Sequence, residues 1–307
     1  MYRGYPIALV AFLSSGLSIG MAQYAFGVFI EPLEEEFGWT RTEINLSLSL
    51  GLITGLLSPL IGRWMDRIGA RPVMAVSLGL IGAGFLLRAV MTDLWQFYLF
   101  SALLFAGFPG ATVLPAGRLV AVWFARTRGR MMGIVMAGNN FGGLTMAPLA
   151  VVLVAVAGWR WAFATFGVVI IVMLLVVLWV ISDRPEDVAG EHGKKGAPSS
   201  ASGGAASLPG YSVSQVIRMP TFYFLTAGLT AAMFTYTAVL TQIFPHMEAE
   251  GFSRGEATLA MTILGTIGIV SKIVFGRLSE TITARWATVF SLALQSLGLA
   301  LFIVGNG

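Results

Sequence analysis

The chain has 307 residues, of which 56% are hydrophobic and only 11% charged, and its mean hydropathy is +0.81. Soluble domains carry charge on roughly a quarter of their residues, so this composition excludes a water-soluble globular protein and points to a chain that crosses a bilayer many times. The net charge of +4 is small and sits between apolar runs, which argues against a nucleic-acid surface, and a chain without cysteine has no disulfide or thiol chemistry.

Nine apolar segments predict membrane helices, at approximately 6–30, 43–61, 72–91, 94–124, 131–157, 161–181, 221–245, 256–275 and 286–304. A lone strand in lipid would leave its amides unpaired, so the predicted fold class is all-α, a polytopic membrane helix bundle. The first segment lacks a convincing small-residue cleavage site and reads as a retained helix rather than a signal peptide. Between the sixth and seventh segments the composition changes. Gly196-Ala197-Pro198-Ser199-Ser200-Ala201-Ser202-Gly203-Gly204 is small, polar and turn-rich, the signature of a flexible linker. The expected division is therefore a six-helix bundle at 1–182, a linker at 183–217 and a partial three-helix bundle at 218–307.

One unit occurs twice. Gly38, Arg41 and Glu43 recur as Gly251, Arg254 and Glu256; Gly62, Arg63, Asp66 and Arg71 recur as Gly276, Arg277, Glu280 and Arg285. Thr40 with Glu43, and Ser253 with Glu256, have capping-box spacing at a helix start. An apolar run follows each, and each exit carries a glycine, an acid and arginines. Glycine permits close helix approach, and an acid suits the positive end of a neighbouring helix or a basic partner such as Arg126. Internal repeats of this kind are a building rule of secondary transporters.

Charge predicts orientation. Arg3, Arg63, Arg67, Arg71, Arg126, Arg128, Arg130, Arg184, Lys194, Lys195, Arg218, Arg277 and Arg285 fall on one side of the predicted helices. Arg41, Arg160 and Arg254 fall on the other, beside Glu31, Glu34, Glu35 and Glu36. The positive-inside rule makes the first side cytoplasmic and places the N-terminus there, in a cell (inner) membrane.

Gly62-Arg63-Trp64-Met65-Asp66-Arg67-Ile68-Gly69-Ala70-Arg71 resembles the loop signature between the second and third helices of the major facilitator superfamily. Gly276-Arg277-Leu278-Ser279-Glu280 and Arg285 resemble its weaker copy between the eighth and ninth. The resemblance implies twelve helices in two halves, a gating role for the Gly62–Arg71 and Gly276–Arg285 motifs, and alternating access. Against that frame the chain stops after nine helices and is expected to be a fragment or a truncated gene product. Tyr24-Ala25-Phe26-Gly27-Val28-Phe29, Pro115 with Trp123-Phe124, and Gly138-Asn139-Asn140-Phe141-Gly142-Gly143 resemble bacterial monocarboxylate and oxalate–formate carriers. Those carriers place a cation in the eighth helix against the substrate carboxylate, and Lys272 stands there. Proton-coupled members often have an acid one turn earlier, where this chain has Gly268.

Three cations fall inside predicted spans, where charge is costly and usually faces a cavity. Arg88 lies near Asp93 and suits a helix-end pair or snorkelling. Arg118 suits either a helix–loop bridge or a cavity charge. Lys272 suits snorkelling or a substrate contact. Tyr24, Asn139 and Asn140 are candidate substrate hydrogen-bonders, with an interfacial belt or interhelical bonding as the alternatives. No nucleophile elbow, metal-ligand cluster or phosphate loop occurs, and His192 and His246 are isolated, so no enzyme, metal or cofactor is expected. The expected activity is secondary transport of a small organic anion, a mono- or dicarboxylate, with a proton or counter-anion as coupled species. The rivals are a facilitator-type carrier of a neutral metabolite or drug, and a transport-inactive membrane sensor or scaffold.

Overall fold

Each long apolar run folds as helix, because in hydrocarbon only internally bonded backbone is stable. The computed structural model describes residues 3–183 and 213–305, and among these no strand occurs. The predicted 183–217 linker falls outside that range except for Asp183 and its last five residues. Helix α1 (Gly4–Ile19) passes into a π-turn (Gly20–Tyr24) and a 3-10 turn (Phe26–Phe29). A short helix α2 (Ile30–Phe37) follows and ends at Gly38, whose φ of +69° stops it. Then come α3 (Arg41–Ser49), α4 (Leu52–Ile68), α5 (Ala70–Arg88), α6 (Leu94–Ala111), α7 (Val113–Trp123), α8 (Arg128–Ala157) and α9 (Trp159–Val180). After the undescribed stretch lie α10 (Val213–Ile217), α11 (Pro220–Ala249), α12 (Arg254–Thr281) and α13 (Ala284–Gly305).

Among the described residues, eight stretches are long and apolar enough to cross a membrane: Gly4–Tyr24, Arg41–Ile68, Ala70–Arg88, Leu94–Trp123, Arg128–Ala157, Trp159–Val180, Thr262–Thr281 and Arg285–Phe302. They match eight of the nine predicted segments, and α11 occupies the remaining one. Both capping boxes form. The Thr40 hydroxyl accepts from the Glu43 amide at 3.3 Å while Glu43 takes the Thr40 amide at 2.8 Å, and Ser253 and Glu256 repeat the pair at the same distances.

The repeated exit motifs differ from the expected loop. Helix α4 continues through Gly62, Arg63 and Asp66 to Ile68, and α12 continues through Gly276 and Glu280. Nothing before Gly69 forbids helix. Gly69, with φ +94°, is the first residue that turns the chain. Its opposite side is occupied by Asp183, whose Oδ1 accepts from the Ala70 amide and so caps the start of α5.

The fourth span is broken at Thr112, where φ is −117° and ψ −107°. Proline has no amide to offer the carbonyl four residues back. Pro109 therefore frees the carbonyl of Phe105, and Pro115 frees that of Ala111. A hydroxyl from another helix takes each one. Thr54 of α4 donates to Phe105 O at 2.8 Å, and Ser14 of α1 donates to Ala111 O at 2.8 Å. The two prolines thus write the positions at which α1 and α4 attach to the fourth span. Thr54→Val and Ser14→Ala should each cost about 0.5–1.5 kcal/mol, because each leaves a carbonyl unpaired away from water. Ser58→Ala is the control, since that hydroxyl only re-bonds the Thr54 carbonyl of its own helix. Reversible unfolding in mixed micelles measures all three, and a Ser58 effect as large as the other two would refute this account.

Helix α8 meets α1 through glycines. A methyl group on Gly16 would stand 2.5 Å from the Gly138 carbonyl oxygen, and one on Gly20 would stand 2.5 Å from that of Gly142. Only side-chain-free positions allow this approach. On another face α8 meets α12: a methyl on Gly276 would lie 2.6 Å from the Gly129 carbonyl oxygen. Gly62, the counterpart of Gly276 in the first repeat, has nothing within 4 Å of its missing Cβ among the described residues.

The described residues up to 183 form one compact unit with Thr262–Thr283, and 213–261 form another with 284–305. The first unit holds the core, with Phe29, Phe85, Phe97 and Phe166 fully buried. In the second, Gln295 donates to the Ala232 carbonyl at 2.8 Å, and the ring of His246 packs 5.4 Å from that of Phe302.

Candidate functional site

Asn139 and Asn140 are consecutive on α8, so their side chains diverge by about 100° around the helix. One reaches α1 and the other α12. Asn139 Oδ1 accepts from the Ser15 hydroxyl at 2.6 Å. Asn140, which is buried, accepts on Oδ1 from the Lys272 ammonium and donates from Nδ2 to the Gly265 carbonyl at 3.4 Å. Lys272 Nζ also donates to the Met136 carbonyl at 3.1 Å. Among the described residues the cation thus has two partners, both neutral oxygens of α8. It is half-buried and directed into the bundle, not extended along the surface.

Tyr24 ends the π-turn. Its ring lies over Gly143 of α8, where a methyl would be 2.7 Å from ring carbon Cδ1. The extra residue of a π-turn rotates the side chains after it, and such turns often occur at functional sites. Tyr24 and Asn139 therefore stand where α8 meets the first span, and Asn140 and Lys272 stand where α8 meets α12. Ser15 joins the first pair through Asn139. Sequence reading missed it, although serine neighbouring the Gly16 crossing is the expected type for an interhelical bond.

Arg118 lies apart from this group. Its Nη1 donates to Asp66 Oδ1 at 3.0 Å. The sequence offered Arg126 or a helix terminus as the partner of Asp66; the structure provides Arg118, since α7 runs beside the end of α4. This contact is mostly exposed on the Asp66 side, so it is a weak latch rather than a major source of stability. The second-repeat acid behaves differently. Glu280 Oε1 accepts from the backbone amide of Arg130 at 2.8 Å, in the first turn of α8, where a carboxylate meets the positive helix end. Arg71 donates to the Leu178 carbonyl and so ties α5 to α9. Arg63, Arg67, Arg277 and Arg285 are exposed, and Gly69 makes the turn already described.

Arg88 is not paired with Asp93. It is 2% exposed, donates to Ser101 Oγ at 2.6 Å, and lies over the rings of Phe97, Phe163 and Phe85 at 4.9, 5.7 and 5.9 Å. Aromatic faces and one hydroxyl hold this charge, while Asp93 takes the Thr92 hydroxyl instead.

At the same end of the unit, Glu36 of α2 accepts from Arg160 and from Trp159 Nε1 at 2.7 Å. The Arg160 hydrogen bond, then that of Trp159, holds the Glu36 carboxyl below its ordinary value of 4.5. A carboxylate depressed in the folded state stabilises it above the unfolded pKa and loses that contribution as pH falls through the folded pKa. Thermal melts of the parent should therefore drop on acidification from neutrality to below the ordinary carboxylate range. Glu36→Gln should lower the neutral-pH melting temperature and flatten part of the acid limb; identical pH profiles for the two proteins would count against this bond.

Comparisons with known proteins identify the family. The Major Facilitator Superfamily model matches residues 12–307. Human monocarboxylate transporter 11 is 33% identical over 168 residues, 54% of this chain and 35% of that protein. Rat monocarboxylate transporter 13 is 24% identical over 99% of this chain and 68% of its own length. Thus the chain spans about a third of the human carrier and about two thirds of the rat one. The solved proton:xylose symporter XylE, bound to 6-bromo-6-deoxy-D-glucose, superposes with a TM-score of 0.65 over 91% of this chain and 69% of its own, at 16% identity, a likeness of fold alone. Helical architecture, repeated motifs and family match together make this chain a multi-pass membrane protein of the major facilitator superfamily, a family of transporters.

Proposed function

We propose that the protein is a secondary carrier of a small organic anion, a mono- or dicarboxylate, working by alternating access, with Lys272 as the anion-pairing charge. One observation carries the reading: among the described residues, an ammonium inside a membrane-spanning stretch is held only by the neutral oxygens of Asn140 and Met136. A charge at mid-membrane costs roughly 2.5–3.5 kcal/mol on insertion scales, so a retained cation without an acid calls for an anionic ligand. A carboxylate supplies the missing charge and a charge-assisted hydrogen bond. Asn139 of α8 and Tyr24 at the end of the π-turn are the further candidate donors.

In this reading Asp66–Arg118 and Glu280–Arg130 are the contacts that open and close one end of the pathway, together with Gly62, Arg63, Arg67, Gly69, Arg71, Gly276, Arg277 and Arg285. Residues 1–182 form the first half of the carrier and 218–307 belong to the second. The N-terminus faces the cytoplasm of a cell (inner) membrane. The likeness to monocarboxylate transporters supports the substrate class.

Counterflow in proteoliposomes tests the reading. Vesicles preloaded with unlabelled acetate, lactate, oxalate or succinate should accumulate the same labelled carboxylate. Counterflow of neutral sugars or drugs with no carboxylate response would select the neutral-substrate rival. No counterflow of either class, with carboxylate binding retained, would select the sensor reading.

A further inference from the structure

Among the described residues the cation of the candidate site has no acid beside it, and its side-chain partner is a neutral amide. On α8, which packs against Lys272, the charged residues are Arg128 and Arg130, both in its first turn. On α12 they are Arg254, Glu256, Arg277 and Glu280 besides Lys272 itself. Glu280 is eight residues from Lys272, about 12 Å along the axis, and is engaged by the Arg130 amide. Glu256 lies sixteen residues before Lys272, in the first turn of α12, and is engaged by Ser253. Helix α1, reached through Asn139, carries no charged residue.

Asn140 is built into its position. Its Nδ2 is directed at the Gly265 carbonyl, which orients Oδ1 toward Lys272. The carboxamide occupies the volume that a side chain at Gly268 would need: a methyl there would stand 3.1 Å from Asn140 Cγ and closer still to Nδ2. Gly268 is thus small because Asn140 fills its side of the helix crossing. An amide carbonyl accepts a hydrogen bond from an ammonium without cancelling its charge or exchanging a proton with it.

We propose that Asn140 is the positioning residue of this site: it holds the Lys272 ammonium with a neutral dipole where an acid would neutralise it, so that the site keeps its positive charge and takes a deprotonated organic anion with no accompanying proton. This rests on the reading of Lys272 as the anion-pairing charge. It adds the coupling mode: anion binding without proton uptake, which suits exchange of one anion for another.

The test is calorimetric binding of lactate and of succinate to the purified full chain near neutral pH, with proton uptake followed by an indicator dye in weak buffer. The parent should bind without taking up a proton. Asn140→Asp places a carboxylate on the ammonium; it should weaken binding at least about tenfold and couple the residual binding to uptake of about one proton per anion, because the new carboxylate must be neutralised before a second one can approach. Uptake of a proton by the parent would overturn the proposal even if the variant failed to fold. So would an Asn140→Asp protein that binds as the parent does without proton uptake. Lys272→Gln separates the two levels. If it binds carboxylates like the parent, the Lys272 reading itself fails. If it loses binding while the parent takes up a proton, only the role of Asn140 fails.

Discussion

Replacing Gly142 with leucine is expected to remove the folded protein from the membrane. Gly142 and Gly20 face each other at the crossing of α8 with the first span. Even a methyl on Gly20 would stand 2.6 Å from the Gly142 carbonyl carbon and 2.9 Å from its Cα, and a methyl on Gly142 would stand 2.5 Å from the Gly16 carbonyl carbon. These obstacles are backbone atoms, which do not rotate aside. The helices would have to separate along the line that Gly16–Gly138 and Gly20–Gly142 share. That separation would also pull Ser15 from Asn139 and Tyr24 from Gly143. Overpacking in a core usually costs about 1–3 kcal/mol, and a clash with fixed backbone belongs at or above the top of that range. Gly55→Ala is the contrasting substitution. Nothing lies within 4 Å of its missing Cβ among the described residues, so alanine should be neutral or stabilise the helix by up to about 1 kcal/mol. Detergent-extracted yield and size-exclusion profiles of the two variants decide the matter. A monodisperse Gly142→Leu protein at parental yield would show that the crossing is looser than described.

Lys272→Gln is expected to weaken carboxylate binding by roughly one to two orders of magnitude while leaving the fold intact. Glutamine still hydrogen-bonds to Asn140 and Met136, but it brings no charge to the site. The loss to the ligand is that of a charge-assisted hydrogen bond in a low-dielectric setting, about 1.5–3 kcal/mol, or roughly one to two orders of magnitude in affinity. Lys272→Arg should retain binding and favour a dicarboxylate, because a guanidinium presents a planar fork in place of a point charge. Equal carboxylate affinity for the parent and the glutamine variant would mean that Lys272 only braces α12 against α8.

Much of this molecule follows from contiguous residues. The apolar run lengths determine that the chain is helical and crosses a bilayer, since transfer free energy and backbone satisfaction depend only on what a segment contains. Thr40 with Glu43, and Ser253 with Glu256, determine two helix starts, because a capping box closes within four residues. The paired motifs at Gly62 and Gly276 mark the family for the same reason: a repeat is visible without a fold. The motifs do not by themselves tell loop from helix. Asp66 lies on the last turns of α4 because the chain turns at Gly69 and no earlier.

Tertiary structure alone decided the partners. Arg118 and Asp66 are 52 positions apart, and Lys272 and Asn140 are 132 apart. Arg88 illustrates the point: its sequence neighbour Asp93 is near enough to suggest a pair, yet packing of α5 against α6 and α9 surrounds the guanidinium with phenyl rings. The fourth segment reads in sequence as one uninterrupted helix; the break at Thr112, and the filling of the carbonyls freed by Pro109 and Pro115 by Thr54 and Ser14, come only from the structure. A side chain's own helix sets only its height and angle. What it bonds depends on which helix lies opposite at that height, and that is determined by the glycine crossings that bring the backbones together.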